Sequence, residues 1–429
     1  MRMPCKSLWL CLPFALLTAC GGGPEEAAPS KFVKPAEECA ADVIANQYIV
    51  HYTNGSMAVV HAASERQFMS QFLKPRQNEI VYAEPDFRVH AAVWKGLANQ
   101  PPNSSSADNW GAQRVEADAL WADGVRGQSV SVAVVDSGMD MHHPQLAPQL
   151  FKNSGETGLD STGRDRATNG VDDDGNGFVD DVSGYDFTNG GSKSLKGDYT
   201  YHGTHVAGII LAKHDDQQAK AAPYVQGLAP AAQILPLAFL DANGSGNISD
   251  GVRAIKYAVL RGVKVINASW GGPICSRSLR DTIQQLETQG VVFVSAAGNE
   301  SLDIDTYKEY PASLNLAAQL TVGATGAFDY MAEFSNYGSQ SVHLFAPGAD
   351  IVSTIPGGSL AALSGTSMAA PFMSGAVALL LSAEPGAHVS QVRQALYNAS
   401  VRRPDYINAA QGRLNLRRAL AELRSLLQH

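Results

Sequence analysis

Residues 249–267, SDGVRAIKYAVLRGVKVIN, hold two periodicities side by side. From Ser249 to Arg261 the apolar residues recur at helical spacing, and from Val263 to Asn267 a β-branched run reads as a buried strand. The pairing repeats downstream, with Leu279–Gln289 helical and Val291–Ser295 strand-like. Ser129–Val135, Gln233–Leu237 and Leu320–Gly323 are further runs of the strand kind. Buried strands separated by helices of crossover length predict an α/β domain: a doubly wound, mostly parallel sheet with helices on both faces. Such sheets bind ligands at the carboxyl ends of their strands.

The chain has 429 residues, 45% apolar and 17% charged, which is globular composition. Its formal charge of −9 gives no basic face, so a nucleic-acid partner is not expected. Ahead of the α/β domain, Gln47–Tyr52 and Met57–His61 alternate like strands, and Ser64–Leu73 has helical spacing. Glu79–Val89 reads as extended chain stopped by Pro85. These form a small α+β unit over residues 46–92, followed by an Asn/Ser/Pro/Gln-rich linker over 93–109 and the main domain over 110–429.

At the start, Arg2 and Lys6 precede an uncharged, mostly apolar stretch too short to span a bilayer. It ends Leu17-Thr18-Ala19-Cys20, which resembles the lipobox of bacterial lipoproteins. That resemblance implies a signal peptide over 1–19, lipidation of Cys20, a tether over 20–45 and a membrane partner through the lipid anchor. The outer membrane is favoured if the host has one. The other reading is an ordinary secretory signal. Beyond Cys20, Cys39 and Cys275 remain, enough for one bridge or two free thiols. Residues 351–383 also lack a formal charge, but their glycines and prolines favour a buried core segment over a membrane span.

Three chemically suggestive residues fall at strand ends or helix starts. Asp136 closes SVAVVD, His205 lies in HGTHVAGII, and Ser367 opens the apolar helix of GTSMAAPFMSGAVALLL. A serine hydroxyl becomes nucleophilic when an imidazole takes its proton, and a carboxylate fixes that imidazole. Backbone N–H groups at the helix start, with the amide of Asn299 in VFVSAAGN, can face a developing oxyanion.

VAVVDSGMD, HGTHVAG, SWGG, AAGN and GTSMAAP, in that order, resemble the signature set of the subtilase family of serine proteases. The resemblance implies a subtilisin-like fold and a serine endopeptidase acting on protein or peptide substrates through an acyl-enzyme. It assigns Asp136 as orienter, His205 as general base, Ser367 as nucleophile and Asn299 as oxyanion donor. It places substrate against Ser269, Trp270, Gly271 and Gly272 on one edge and Gly244, Ser245 and Gly246 on the other. Ala296, Ala297 and Gly298 would be the second wall of a pocket suited to a sizeable apolar side chain. Residues 46–92 resemble a subtilase propeptide, chiefly in QYIV and YAEPDFRV, which implies an intramolecular inhibitor; an accessory domain is the alternative. A catalytically silent peptide-binding surface lipoprotein is the alternative for the whole chain.

Between Asp136 and His205, NGVDDDGNGFVDD at 169–181 has the order of an EF-hand-like calcium loop. Its ligands would be Asp172, Asp174, Asn176, the Phe178 carbonyl and Asp180, with Ser183 where a bidentate Glu is expected. A second family calcium site is in doubt, because HPQL puts Gln145 where the family has Asp.

Overall fold

The computed structural model describes residues 31–34, 42–92, 109–214 and 224–428. The signal peptide, Cys20, Cys39, most of the tether and nearly all of the linker lie outside the described residues.

The first unit contains β1 (Val43–Tyr52), β2 (Met57–His61) and β3 (Ile80–Ala91), antiparallel in the order β3-β1-β2. A helical stretch from Glu65 to Arg76 crosses them, and its middle, Phe68–Leu73, is wound wider than an α-helix. Tyr48 stacks on Phe68 at 4.0 Å, and with Phe32, Val50, Leu73 and Ile80 these side chains form a core separate from that of the large domain. Contrary to expectation, β3 runs straight through Pro85. Pro85 pairs with Tyr48 beside a register shift in β1, so its missing N–H falls where the ladder is already interrupted.

The large domain supplies β4 (Ser131–Asp136), β5 (Tyr185–Asp186), β6 (Lys193–Ser194), β7 (Gln233–Ala238), β8 (Ser245–Asn247), β9 (Val265–Ala268), β10 (Trp270–Gly271), β11 (Val292–Ala296), β12 (Gln319–Thr325) and β13 (Leu344–Pro347). β14 (Ile351–Ile355) and β15 (Ser359–Leu363) form a hairpin, and β16 (Val401–Arg402) and β17 (Gly412–Arg413) complete one edge. The main sheet runs β16-β17-β13-β12-β11-β9-β4-β7-β5-β6, parallel from β17 to β5, with helices on both faces. The uncharged stretch resolves into β14, β15 and the helix Thr366–Ala383, which is long and apolar enough to cross a membrane yet almost wholly buried in the domain core.

Cys275 is disulfide-bonded, its partner lying outside the described residues.

Candidate active site

Parallel strands all aim their carboxyl ends one way, and the chemistry gathers there. Asp136 is the last residue of β4, and Asn299 follows β11 by three positions. Ser367 is the second residue of the helix Thr366–Ala383. Pro371 in that helix cannot donate to the Ser367 carbonyl four residues back. The Ser269 hydroxyl does so instead, at 3.0 Å, while Ser367 Oγ reaches the Ser269 carbonyl at 3.0 Å. The proline thus frees an acceptor that fixes the serine against the strand opposite.

The imidazole beside Asp136 is His202, not His205. His202 Nδ1 lies 2.8 Å from Asp136 Oδ1, both fully buried, while His202 Nε2 is buried with no hydrogen-bond partner among the described residues. Burial alone would drag the His202 pKa down, but the Asp136 carboxylate, with Asp198 behind it, holds it above its ordinary 6.5. His205 sits one turn further along the helix His202–Leu211, about 4.5 Å deeper. Its Nε2 faces the Ala361 carbonyl of β15 at 3.0 Å, and burial with His202 nearby pushes its pKa down to about 3. A neutral, buried histidine bonded to a hairpin carbonyl is packing. The first residue of the helix is the one that meets a strand-end carboxylate, and that positional signal in HGTH singles out His202 over His205.

Between β8 and β10 lies a groove, and β3 fills it. Val89 pairs with Gly246 and His90 with Ser245 on one side, while His90 and Ala91 pair with Gly271 and Trp270 on the other. Ala91 N donates to Gly244 O at 2.9 Å and Ala92 N to Ser269 O at 3.0 Å. The Ala92 carbonyl then accepts from Asn299 Nδ2 at 2.6 Å and from Ser367 Oγ at 2.5 Å. The Asn299 amide is oriented from behind, since its Oδ1 accepts from Thr366 N at 2.8 Å and Thr366 Oγ1 at 3.0 Å. The edge residues therefore act through their backbones. Trp270 itself points inward, donating to Val135 O. Of the expected second wall only Gly298 borders the cleft; Ala296 and Ala297 are buried in the sheet.

Two buried carboxylates, Glu84 and Asp86, latch β3 to the domain. Glu84 accepts from Ser276 Oγ, Arg277 N and Ser278 N at 2.7, 2.8 and 2.9 Å, at the start of the helix Arg277–Gln285. Asp86 accepts from Ser249 N at 3.1 Å, at the start of Ile248–Leu260. Each supplies an acceptor to amides that have no partner within their helix, in the field of its N-terminus. Burial pushes both carboxyls up from their ordinary values, against the pull of these donors.

In the 169–181 loop, Asp172 and Asn176 accept from loop amides, as turn-forming side chains do. The acidic cluster is Glu156, Asp174 and Asp181, with carboxylate oxygens within 4.8 Å of one another. Asp180, expected as a ligand, is instead in the left-handed region at φ 52° with its carboxylate on Gly170 N, and its neighbour Asp181 turns inward. Glu156, from outside the loop, brings the acid that Ser183 lacks. Arg261 stands 3.4 Å from Asp174, so three carboxylates and one guanidinium leave a net deficit of positive charge. Gln145 donates to the Lys213 and Val225 carbonyls at 3.0 and 2.8 Å, holding with an amide what a cation could hold elsewhere.

A groove that binds extended chain by strand addition, and presents one carbonyl to a buried serine and a fixed amide, is the apparatus of a serine endopeptidase. Residues 127–417 match the subtilase family, and the chain belongs to that family as a subtilisin-like serine protease. It is 35% identical over 277 residues to the major intracellular serine protease of Bacillus subtilis (strain 168), covering 64% of this chain and 75% of that one. It is 35% identical over 320 residues to a thermophilic serine proteinase of Bacillus sp. (strain AK1), covering 74% and 66%. To subtilisin NAT of Bacillus subtilis subsp. natto it is 33% identical over 311 residues, covering 72% and 70%.

Proposed function

We propose that this chain is an exported, lipid-anchored subtilase that cuts its own Ala92–Val93 bond through Asp136, His202 and Ser367. The observation that carries this reading is the Ala92 carbonyl held between Asn299 Nδ2 and Ser367 Oγ. Ser367 Oγ adds to that carbonyl carbon as its proton passes to the free Nε2 of His202. Asp136 orients the ring and balances the imidazolium. Asn299 donates to the oxyanion. Collapse expels the Val93 amine, which takes the proton from His202, and water then releases the Ala92 acyl group by the same route reversed. Strand β3 stays paired in the groove after the cut, so residues 46–92 act as inhibitor as well as first substrate.

Calcium suits the cluster of Glu156, Asp174 and Asp181, because Glu156 Oε2 is a buried acceptor with no donor among the described residues and all ligands are oxygen. When bound, the ion would tie Glu156 to Asp174 and Asp181 within the insertion. The lipobox-like LTAC supports anchoring at Cys20, and Cys20→Ser should release the protein from membranes.

The test is the Ser367→Ala chain. It should accumulate uncut, while wild type yields a catalytic fragment whose first residue is Val93. Cleavage of the Ser367→Ala chain at the same bond and rate, or a wild-type fragment beginning elsewhere, would refute self-processing at this bond.

A further inference from the structure

The Ala92 side chain opens into a cleft of about 760 Å³ that its methyl group does not fill. Glycines form the two nearest walls, and a carboxylate stands behind each. A Cβ on Gly271 would lie 2.8 Å from Glu309 Oε1, and a Cβ on Gly298 would lie 2.8 Å from Glu300 Oε2. The absent side chains therefore let two glutamates border the space from opposite sides. Glu300 is held by Asn299 N and Asn336 Nδ2, at 2.7 and 2.8 Å on Oε2. The Glu309 carboxylate takes part in no hydrogen bond or ion pair among the described residues, although it is largely enclosed.

The sequence alone pointed to an apolar pocket, since Gly and Ala walls carry no charge. We infer that the pocket receiving the side chain of the residue whose carbonyl is attacked selects lysine or arginine, with Glu309 the principal and Glu300 the secondary specificity determinant. The acidic pair does not stand alone, because the chain's own strand lies in the groove and delivers its Ala92 side chain to this cleft. The inference rests on the reading of Ala92 as the acylating residue. A butyl-ammonium or guanidinium chain entering this cleft can pair with a carboxylate on its border, and an isobutyl group cannot. Ala92 uses none of this, so self-cleavage proceeds by tethering and the pocket's charge is kept for other substrates.

The charge depends on pH. Burial, with Glu300 and Asp42 nearby, pushes Glu309 up to about 8. The groups facing it are Glu300 and Asn336 across the cleft, Tyr307 and Lys308 on its own loop, and His90 and Asp42 from the first unit. The Lys308 ammonium is turned to the Ile304 carbonyl at 3.4 Å. With the first unit docked, Glu309 carries a proton below about pH 8, and a cationic side chain must displace it. Preference for lysine over leucine should therefore grow with pH, with a midpoint at or below that value once Asp42 has left with the first unit.

The experiment uses processed wild-type enzyme, reduced and washed free of the residues up to Ala92 so that the groove is open, and fluorogenic peptides Val-His-Ala-X, with X lysine, arginine, leucine or phenylalanine. At pH 8.5 the kcat/KM for lysine should exceed that for leucine about tenfold, the advantage shrinking toward pH 6. Glu309→Gln should cut the lysine-to-leucine ratio about tenfold and flatten its pH dependence. The ratio is taken on one preparation, so the folded fraction cancels, and the wild-type pH profile needs no variant. A wild-type preference for leucine or phenylalanine, or a ratio indifferent to both pH and Glu309→Gln, overturns the charged pocket. Failure of fluorophosphonate to label Ser367, with no peptide cleaved, overturns instead the reading of the site on which it rests.

Discussion

Replacing Glu84 with alanine measures how the first unit is held. Three donors from the start of the helix Arg277–Gln285 converge on this one carboxylate. Charge-assisted bonds at about 1.5 kcal/mol each, with about 0.5 kcal/mol from the helix terminus, set a ceiling near 5 kcal/mol. Against this, the carboxylate gives up water on docking, as its raised pKa records, and Ser276 and the freed amides rehydrate when the unit lifts away. A net loss of about 2 kcal/mol remains, or roughly a 30-fold rise in the open population. Hydrogen exchange on the uncut Ser367→Ala chain reads this directly. The Ala91 and Ala92 amides, which donate to Gly244 and Ser269, should exchange about 30-fold faster when Glu84→Ala is added. The amides of β4 should not change. Glu84 lies seven residues from Ala91, so the effect can reach it only through undocking. Exchange within twofold of the parent would show that strand pairing alone holds the unit.

Other substitutions separate neighbouring roles. His202→Ala should abolish self-processing, whereas His205→Ala should lower thermal stability yet leave the folded fraction able to cut; the reverse pattern, read on a gel, would restore His205 as the base. Because Asp136 holds His202 above 6.5 and only neutral imidazole accepts a proton, the rate of self-cleavage should rise with pH through a midpoint above 6.5. A rate flat from pH 5 to 9 would exclude His202. Asn299→Ala should slow peptide hydrolysis about 10² to 10³-fold, a range set by a subtilisin and so borrowed from a relative; an unchanged kcat would remove Asn299 from the oxyanion site. Chelation should lower the melting temperature by several degrees if calcium is present near 100-fold over its dissociation constant, worth about 2.7 kcal/mol. Glu156→Gln should abolish that response and Asp180→Ala should preserve it, and the opposite result would return the ligand role to Asp180.

The sheet was legible because its buried strands, such as Val263–Asn267, are continuous β-branched runs between helices of crossover length. Local patterns carry such elements. Asp136, Ser367 and Asn299 were legible for a related reason, since strand ends and helix starts are visible in sequence. The choice of His202 over His205 turns on which residue begins a helix, and helix boundaries are blurred by a residue or two in any periodicity. What pairs across long separations stayed hidden. Glu84 meets Ser276 and Glu156 meets Asp174 only once the chain has folded, and the local patterns around them are unremarked surface acid. Pro85 looked like a stop because the register shift that tolerates it lies in β1. Glu300 and Glu309 acquire meaning only when the glycines on facing walls let them near one cleft.

The disulfide at Cys275 would change what the proposed self-cleavage accomplishes. Every other cysteine, at positions 5, 11, 20 and 39, precedes Ala92, so an intrachain bond from Cys275 would bridge the two fragments that the proposed cleavage at Ala92–Val93 would create. Severing the peptide bond would leave one covalent molecule, with the inhibitory strand leashed beside the groove at an effective concentration on the order of millimolar. If the proposed self-cleavage occurs, cutting and activation would be separate events: the first would need Ser367, and the second would wait for a reductant or for destruction of the leashed strand. The same leash would keep the catalytic half with whatever holds the amino-terminal half, so a cut protease need not be a departed one.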